Sequence, residues 1–228
     1  MTALLSRRTV PCMITTQTDH RAVRIAGRAC ASGAMLGVLV AAATQAVQAS
    51  TDVPKDQWSY PWWSGASLAF WLVAALAQAL IAVGVVGLRH SGVAGTTRAA
   101  RFGLTAALAG AVLIVVGHLV SIPIRNQTTH DRWPQIVGGI FGIGTVLVAI
   151  GFLLAGRATL RAGVWCDWRR FTPLAVGACS ALLIGLQFTP ALPTAVAVYG
   201  LCFVAVGIAL ATGQRRALPM TRAEAQQA

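Results

Sequence analysis

The chain has 228 residues, 56% of them apolar and 11% charged, and its mean hydropathy is +0.68, far from the balance of a water-soluble domain. Lys and Arg outnumber Asp and Glu by 18 to 6, which on a soluble protein would point to nucleic acid. Here the charges are confined to the gaps between apolar runs, so nucleic acid is excluded as a partner and the pattern points to a membrane.

Residues 1–28 are polar and basic, with Arg7, Arg8, Arg21, Arg24 and Arg28 against Asp19 alone, and are expected to form a disordered cytoplasmic tail. The first predicted span covers 29–49, with Gly33 and Gly37 at the small-xxx-small spacing that lets helix backbones approach. Its end, Val47-Gln48-Ala49, also fits a signal-peptidase site after Ala49. The long basic region before the apolar run favours a retained span. Residues 50–65 read STDVPKDQWSYPWWSG. Pro54 and Pro61 resist helix, and Trp58, Tyr60, Trp62 and Trp63 are amphipathic rings of the kind that settle at headgroup level. An interfacial belt is the plain reading and a ligand-stacking lid the sharper one.

The second span, 66–88, stops at Arg89-His90 and leads into a loop with Arg98 and Arg101. The third, 102–124, is the only one with a histidine inside it. His118 and Ser121, with Arg125 just beyond, form one helical stripe, and Gly103, Gly110 and Gly117 recur every seven residues beside it. Pro123 lacks an N–H and leaves the carbonyl of Leu119 without its usual donor, an acceptor one turn from His118. After a short polar loop, the fourth span, 135–156, carries the close-packing pair Gly138 and Gly142. A second basic gap holds Arg157, Arg161, Arg169 and Arg170. Residues 171–213 carry no charge, and Thr189-Pro190-Ala191-Leu192-Pro193 divides them into spans 171–189 and 192–213. A polar tail, 214–228, closes the chain.

Of the 18 Lys and Arg residues, only Lys55, Arg125 and Arg132 fall outside the tails and the two basic gaps. Positive residues favour the cytoplasm, so both termini are expected there and the protein in the cytoplasmic membrane. The predicted fold class is all-α, a six-span transmembrane bundle. Ile81-Ala82-Val83-Gly84, Val148-Ala149-Ile150-Gly151 and Val204-Ala205-Val206-Gly207 recur near the ends of the even-numbered spans and suggest three repeated helical hairpins.

An ionisable residue inside a membrane is expensive and is by default a functional candidate. His118, Ser121, Gln45, Gln187 and Tyr199, at similar predicted depth with Thr44, form a candidate outward-facing polar vestibule. A neutral histidine that merely ties helices together is the plainer reading, and the same holds for Gln78 near mid-membrane. The cysteines Cys12, Cys30, Cys166, Cys179 and Cys202 show neither CxxC nor metal-ligand spacing. They are expected to act as small apolar filler, without a disulfide or quinone-linked thiol chemistry. Paired haem histidines, an HExxH zinc motif, an intramembrane carboxylate relay and phosphate-binding loops are all missing from the sequence. No catalytic residue, cofactor or metal is expected.

VPKDQWSYPWWSG after the first span, GLRHSG after the second, SIP at the end of the third, TLRAGVWCDWRRFTPL before the fifth, and LQFTPALP with VYGLC in the last hairpin are the most distinctive stretches. In this order they resemble a group of small six-helix membrane proteins of high-GC Gram-positive bacteria, over about residues 30–212. That group has no assigned activity, so the resemblance implies location and topology and carries over no functional residue. The expected function is a non-enzymatic scaffold or accessory component, with anionic lipid headgroups and a protein partner or second copy as its partners. The alternatives are a facilitator for a small neutral solute and, weakest, a lipid-processing enzyme.

Overall fold

A computed structural model describes residues 17–187, 189 and 191–212. The expectations for 1–16 and 213–228, Cys12 included, lie outside the described residues. Among these residues the chain is all-α: α1 (Gln17–Gln48), α2 (Ser64–His90), α3 (Arg98–Ile124), α4 (Arg132–Ala162), α5 (Thr172–Leu186) and α6 (Leu192–Thr212), with a short 3₁₀ turn at Asp167–Phe171 before α5. Among the described residues six helical segments are long and apolar enough to cross a membrane, the fifth being Asp167–Leu186, α5 together with its 3₁₀ turn; a helix is favoured there because it satisfies every backbone amide within the segment. Local chemistry sets the ends. The Thr97 hydroxyl accepts from the Ala100 N–H at 3.2 Å to start α3. Gly163, at φ +63°, takes the left-handed conformation that ends α4. Pro173 sits in the first turn of α5, where its missing N–H costs nothing.

Each helix packs on the next and α6 packs back on α1, closing a ring whose least extensive seam is α5–α6. Glycines set the closest seams. A Cβ on Gly151 would stand 2.5 Å from Ala107 N and from Gly103 O of α3, and one on Gly207 would stand 2.6 Å from Ala31 N and 2.7 Å from Gly27 O of α1. Backbones therefore touch where only hydrogen can fit. The centre of the ring is solid: Phe152 and Phe203 meet edge to face at 5.3 Å, surrounded by buried Val85, Leu88, Val148, Val206 and Leu210.

The structure departs from the sequence reading at the start of α1 and in the glycines of α4. Residues 17–28, assigned to a disordered tail, are helical, because Val23, Ala26, Cys30 and Ala34 form a buried stripe and Gly27 lies against Gly207 and Ala211. Gly103, Gly110 and Gly117 lie against Gly151, Gly144 and Phe141 of α4 respectively, a partner helix that the sequence did not name. The fourth span's close contacts come instead from Gly144, Gly151 and Gly156. Gly142 meets nothing within 4 Å, and Gly138 meets only the Trp58 ring at 3.9 Å. The glycines of the three recurring tetrapeptides are placed differently: Gly84 and Gly151 press on the preceding helix, whereas Gly207 presses on α1 rather than α5, because α6 closes the ring.

Candidate functional site

The loops after α1 and α3 lie at one end of the bundle, here termed the tryptophan end, and the arginine-rich gaps lie at the other, the basic end. At the tryptophan end the two loops are clamped by backbone bonds, Trp58 N–H to Gln127 O at 2.9 Å and Thr129 N–H to Asp56 O at 2.6 Å, around an antiparallel bridge between Gln57 and Thr128. The clamp is reinforced within each loop: the Thr51 hydroxyl donates to Pro61 O at 2.9 Å, and the Asp131 carboxylate accepts from the Thr128 N–H at 2.7 Å.

This clamp drives Trp58 inward. Its ring stacks on Trp71 of α2 at 6.3 Å and 12°. Trp71 in turn meets His118 of α3 at 5.9 Å and Phe141 of α4 at 6.5 Å, and His118 stands edge-on to Phe141 at 5.0 Å. Trp62 stacks on Phe70 at 5.7 Å. Trp63 alone of the three loop tryptophans is exposed, at 72%. The loop is thus a fixed aromatic lid over α2, α3 and α4, and Trp71 and Phe141 are members that sequence reasoning missed. Nothing distinguishes them in an apolar run except that large flat rings are uncommon in these spans.

Within this cluster His118 donates from Nδ1 to Ile114 O at 2.7 Å. A carbonyl only accepts, so the proton sits on Nδ1 and Nε2 is left as the acceptor. The Ser121 hydroxyl, fully buried, donates to Gly117 O at 2.8 Å. The donors of both polar groups of the expected stripe are therefore taken up by their own helix, and His118 uses the carbonyl at Ile114 rather than the one that Pro123 frees. Arg125 joins two helices, donating to Ile122 O at 2.9 Å and to Ser64 O at 3.3 Å.

The remaining vestibule candidates lie elsewhere. Tyr199 is in the core, edge-on to Phe203 at 4.9 Å. It neighbours Gln78 without a hydrogen bond of good geometry, and its hydroxyl and the Gln78 amide nitrogen are both buried without a partner. Gln45 is exposed where α1 meets α6, accepting from the Thr194 hydroxyl at 3.5 Å. Gln187 caps the end of α5. His118 and Ser121 thus sit under the lid, Tyr199 in the core, and Gln45 and Gln187 at helix ends, and no hydrogen bond or ring contact joins these groups among the described residues.

At the basic end, the 3₁₀ turn presents Trp168 and Phe171 to the surroundings, 49% and 47% exposed, with the Arg170 guanidinium 4.6 Å above the Phe171 ring. No group of three or more metal-ligating side chains occurs among the described residues. The chemistry on view is that of helix packing, an aromatic lid and a cationic end of the bundle. Compared with protein-family models, with curated proteins and with solved structures, the chain matches none.

Proposed function

We propose that this multi-pass membrane protein is a non-enzymatic scaffold or accessory component of the cytoplasmic membrane, and that it receives a transmembrane helix of a partner protein along the Gly138–Gly142 side of α4. The observation that carries the reading is the contrast among the glycines of one helix. Gly144, Gly151 and Gly156 are in tight backbone contact with α3 or α5, whereas Gly139 and Gly142 meet nothing within 4 Å.

Geometry gives the reason. Gly142 and Gly156 are fourteen residues apart and lie on nearly the same side of α4 at 100° per residue, the side that α5 covers at Gly156 through Leu174. But α5 has 15 residues against 31 in α4, a difference of about 24 Å at 1.5 Å per residue. The part of α4 nearer the tryptophan end is left without a neighbour on that side, and its GxxxG spacing suits close approach of another helix. The solid core supports the same reading, since a facilitator needs a path where Phe152 and Phe203 stand. The basic end, with Arg157, Arg161, Arg169 and Arg170, would hold anionic lipid headgroups, each cation contributing about 1 kcal/mol near the surface. By the distribution of positive charge both termini are cytoplasmic.

The test is site-specific photocrosslinking in membranes from position 146, where the exposed Val146 lies one turn from Gly142 on α4, with position 72 on the exposed Leu72 face of α2 as control. A discrete protein adduct from 146 that Gly142→Leu abolishes, while the chain still folds, is the expected result; an adduct of twice the chain mass identifies the partner as a second copy. Lipid adducts alone, or equal protein capture at both positions, refute the proposal.

A further inference from the structure

Cys179 on α5 and Cys202 on α6 bring their sulfur atoms within 3.4 Å of each other. The other described cysteines are placed differently: Cys30 is fully buried on α1 with its thiol 3.6 Å from Phe203 O, and Cys166 is exposed at the basic end. We propose that Cys179 and Cys202 form a redox-active dithiol, oxidised to a disulfide that staples α5 to α6 by a lipid-soluble two-electron acceptor of the quinone class. The proposal departs from the expectation that the cysteines are filler without disulfide chemistry. Sequence spacing could not reveal the pair because 22 residues and a helix reversal separate its members.

The geometry asks little of the chain. A disulfide bond is about 2.05 Å long, so the sulfurs need to close by roughly 1.4 Å, within reach of a small side-chain rotation on each helix. The pair lies across the least extensive seam of the ring, where a covalent tie adds most to what packing already supplies. Both side chains are half-buried, and their chain neighbours Ala178 and Leu201 are exposed, so the sulfurs sit at the rim of the bundle rather than in its core.

Position along the helices selects the oxidant. Cys179 is seven residues into α5 from Thr172 and Cys202 is ten residues from the Thr212 end of α6, about 10 and 15 Å from the basic end at 1.5 Å per residue. At that depth in a bilayer the pair is surrounded by hydrocarbon. A charged, water-soluble oxidant such as glutathione disulfide is excluded there, while a hydrophobic carrier is not. In the reaction both S–H bonds break and one S–S bond forms; two electrons and two protons pass to the quinone, which leaves as the quinol. The inference is independent of the partner proposed for α4.

Trypsin isolates the pair cleanly, because the peptide Phe171–Arg215 contains Cys179 and Cys202 and no other cysteine. The full chain in membranes is treated with a short-chain quinone, denatured, alkylated with N-ethylmaleimide and digested. The expected peptide carries no label and is lighter by two hydrogen atoms, a phosphine reductant restores double labelling, and Cys179→Ser or Cys202→Ser leaves one labelled thiol. Double labelling after quinone overturns the proposal. A disulfide that forms with copper phenanthroline but not with quinone overturns the assigned oxidant and with it the redox role.

Discussion

Replacing Gly151 by alanine is expected to loosen the α3–α4 seam, and the size of the effect follows from the contacts. The added methyl would stand 2.5 Å from Ala107 N, 2.5 Å from Gly103 O and 2.8 Å from the Ala107 methyl, whereas ordinary contact lies at 3.4–4 Å. Two of these neighbours are backbone atoms, so no rotamer change relieves the clash and the helices must separate by about 1 Å. A radial gap of 0.5–1 Å forfeits roughly a quarter to a half of each dispersion contact along the seam, and overpacking of this kind costs about 1–3 kcal/mol. At about 2 kcal/mol the folded-to-unfolded ratio falls roughly 30-fold. Gly142→Ala is the matched control on the same helix. With nothing within 4 Å it meets no clash, and alanine is the better helix former by about 1 kcal/mol, so it should be neutral or slightly stabilising. Reversible unfolding of both variants in mixed micelles measures the difference. Equal damage from the two substitutions, or a harmless Gly151→Ala, would refute the reasoning that backbone contact distinguishes these glycines.

Trp58→Ala removes the stack on Trp71, a contact of the kind that contributes about 0.5–1.5 kcal/mol beyond burial. It should speed hydrogen exchange in residues 50–63 and 125–131 and tryptic cleavage after Lys55, leaving exchange in the α3–α4 core unchanged; parallel loosening of that core would contradict a local lid. His118→Phe keeps the ring contacts with Trp71 and Phe141 and loses one bond to its own helix, so it should change stability by less than about 1.5 kcal/mol, as a near-isosteric swap does. His118→Asp buries a carboxylate among aromatic rings and should abolish monodisperse protein on gel filtration. Arg169→Gln with Arg170→Gln should weaken retention of anionic lipid in a lipid-exchange assay by up to about 2 kcal/mol, and unchanged retention would count against the cationic face.

The helical bundle was legible from the apolar runs, and most helix boundaries agree with them closely. Residues 17–28 misled because their arginines lie on the exposed side of α1 while Val23, Ala26 and Gly27 are buried; composition averages over both faces of a helix. The small-residue stripe of α3 was also legible, since a seven-residue period keeps Gly103, Gly110 and Gly117 on one side whatever their partner. The candidate site was less so. His118 and Tyr199 stood out as polar residues inside spans and were read as sharing an outer vestibule, but predicted depth alone could not say that one, half-buried, faces α2 and α4 under the lid while the other is buried beside Gln78 and Phe203.

What this sequence determined by itself was therefore the number of the helices and the stretches of charge between them, because hydrophobic runs and charge placement are local properties that a bilayer reads directly. Only the tertiary structure decided which glycines are seams and which are open. Gly142 and Gly144 differ by two residues, or 200° around α4, and the short α5 leaves one side bare. It also decided that backbone bonds between two distant loops press Trp58 onto Trp71, and that Cys179 meets Cys202. Each of these depends on how the ring closes, and that is set by contacts between residues far apart in the chain, where no local pattern records them.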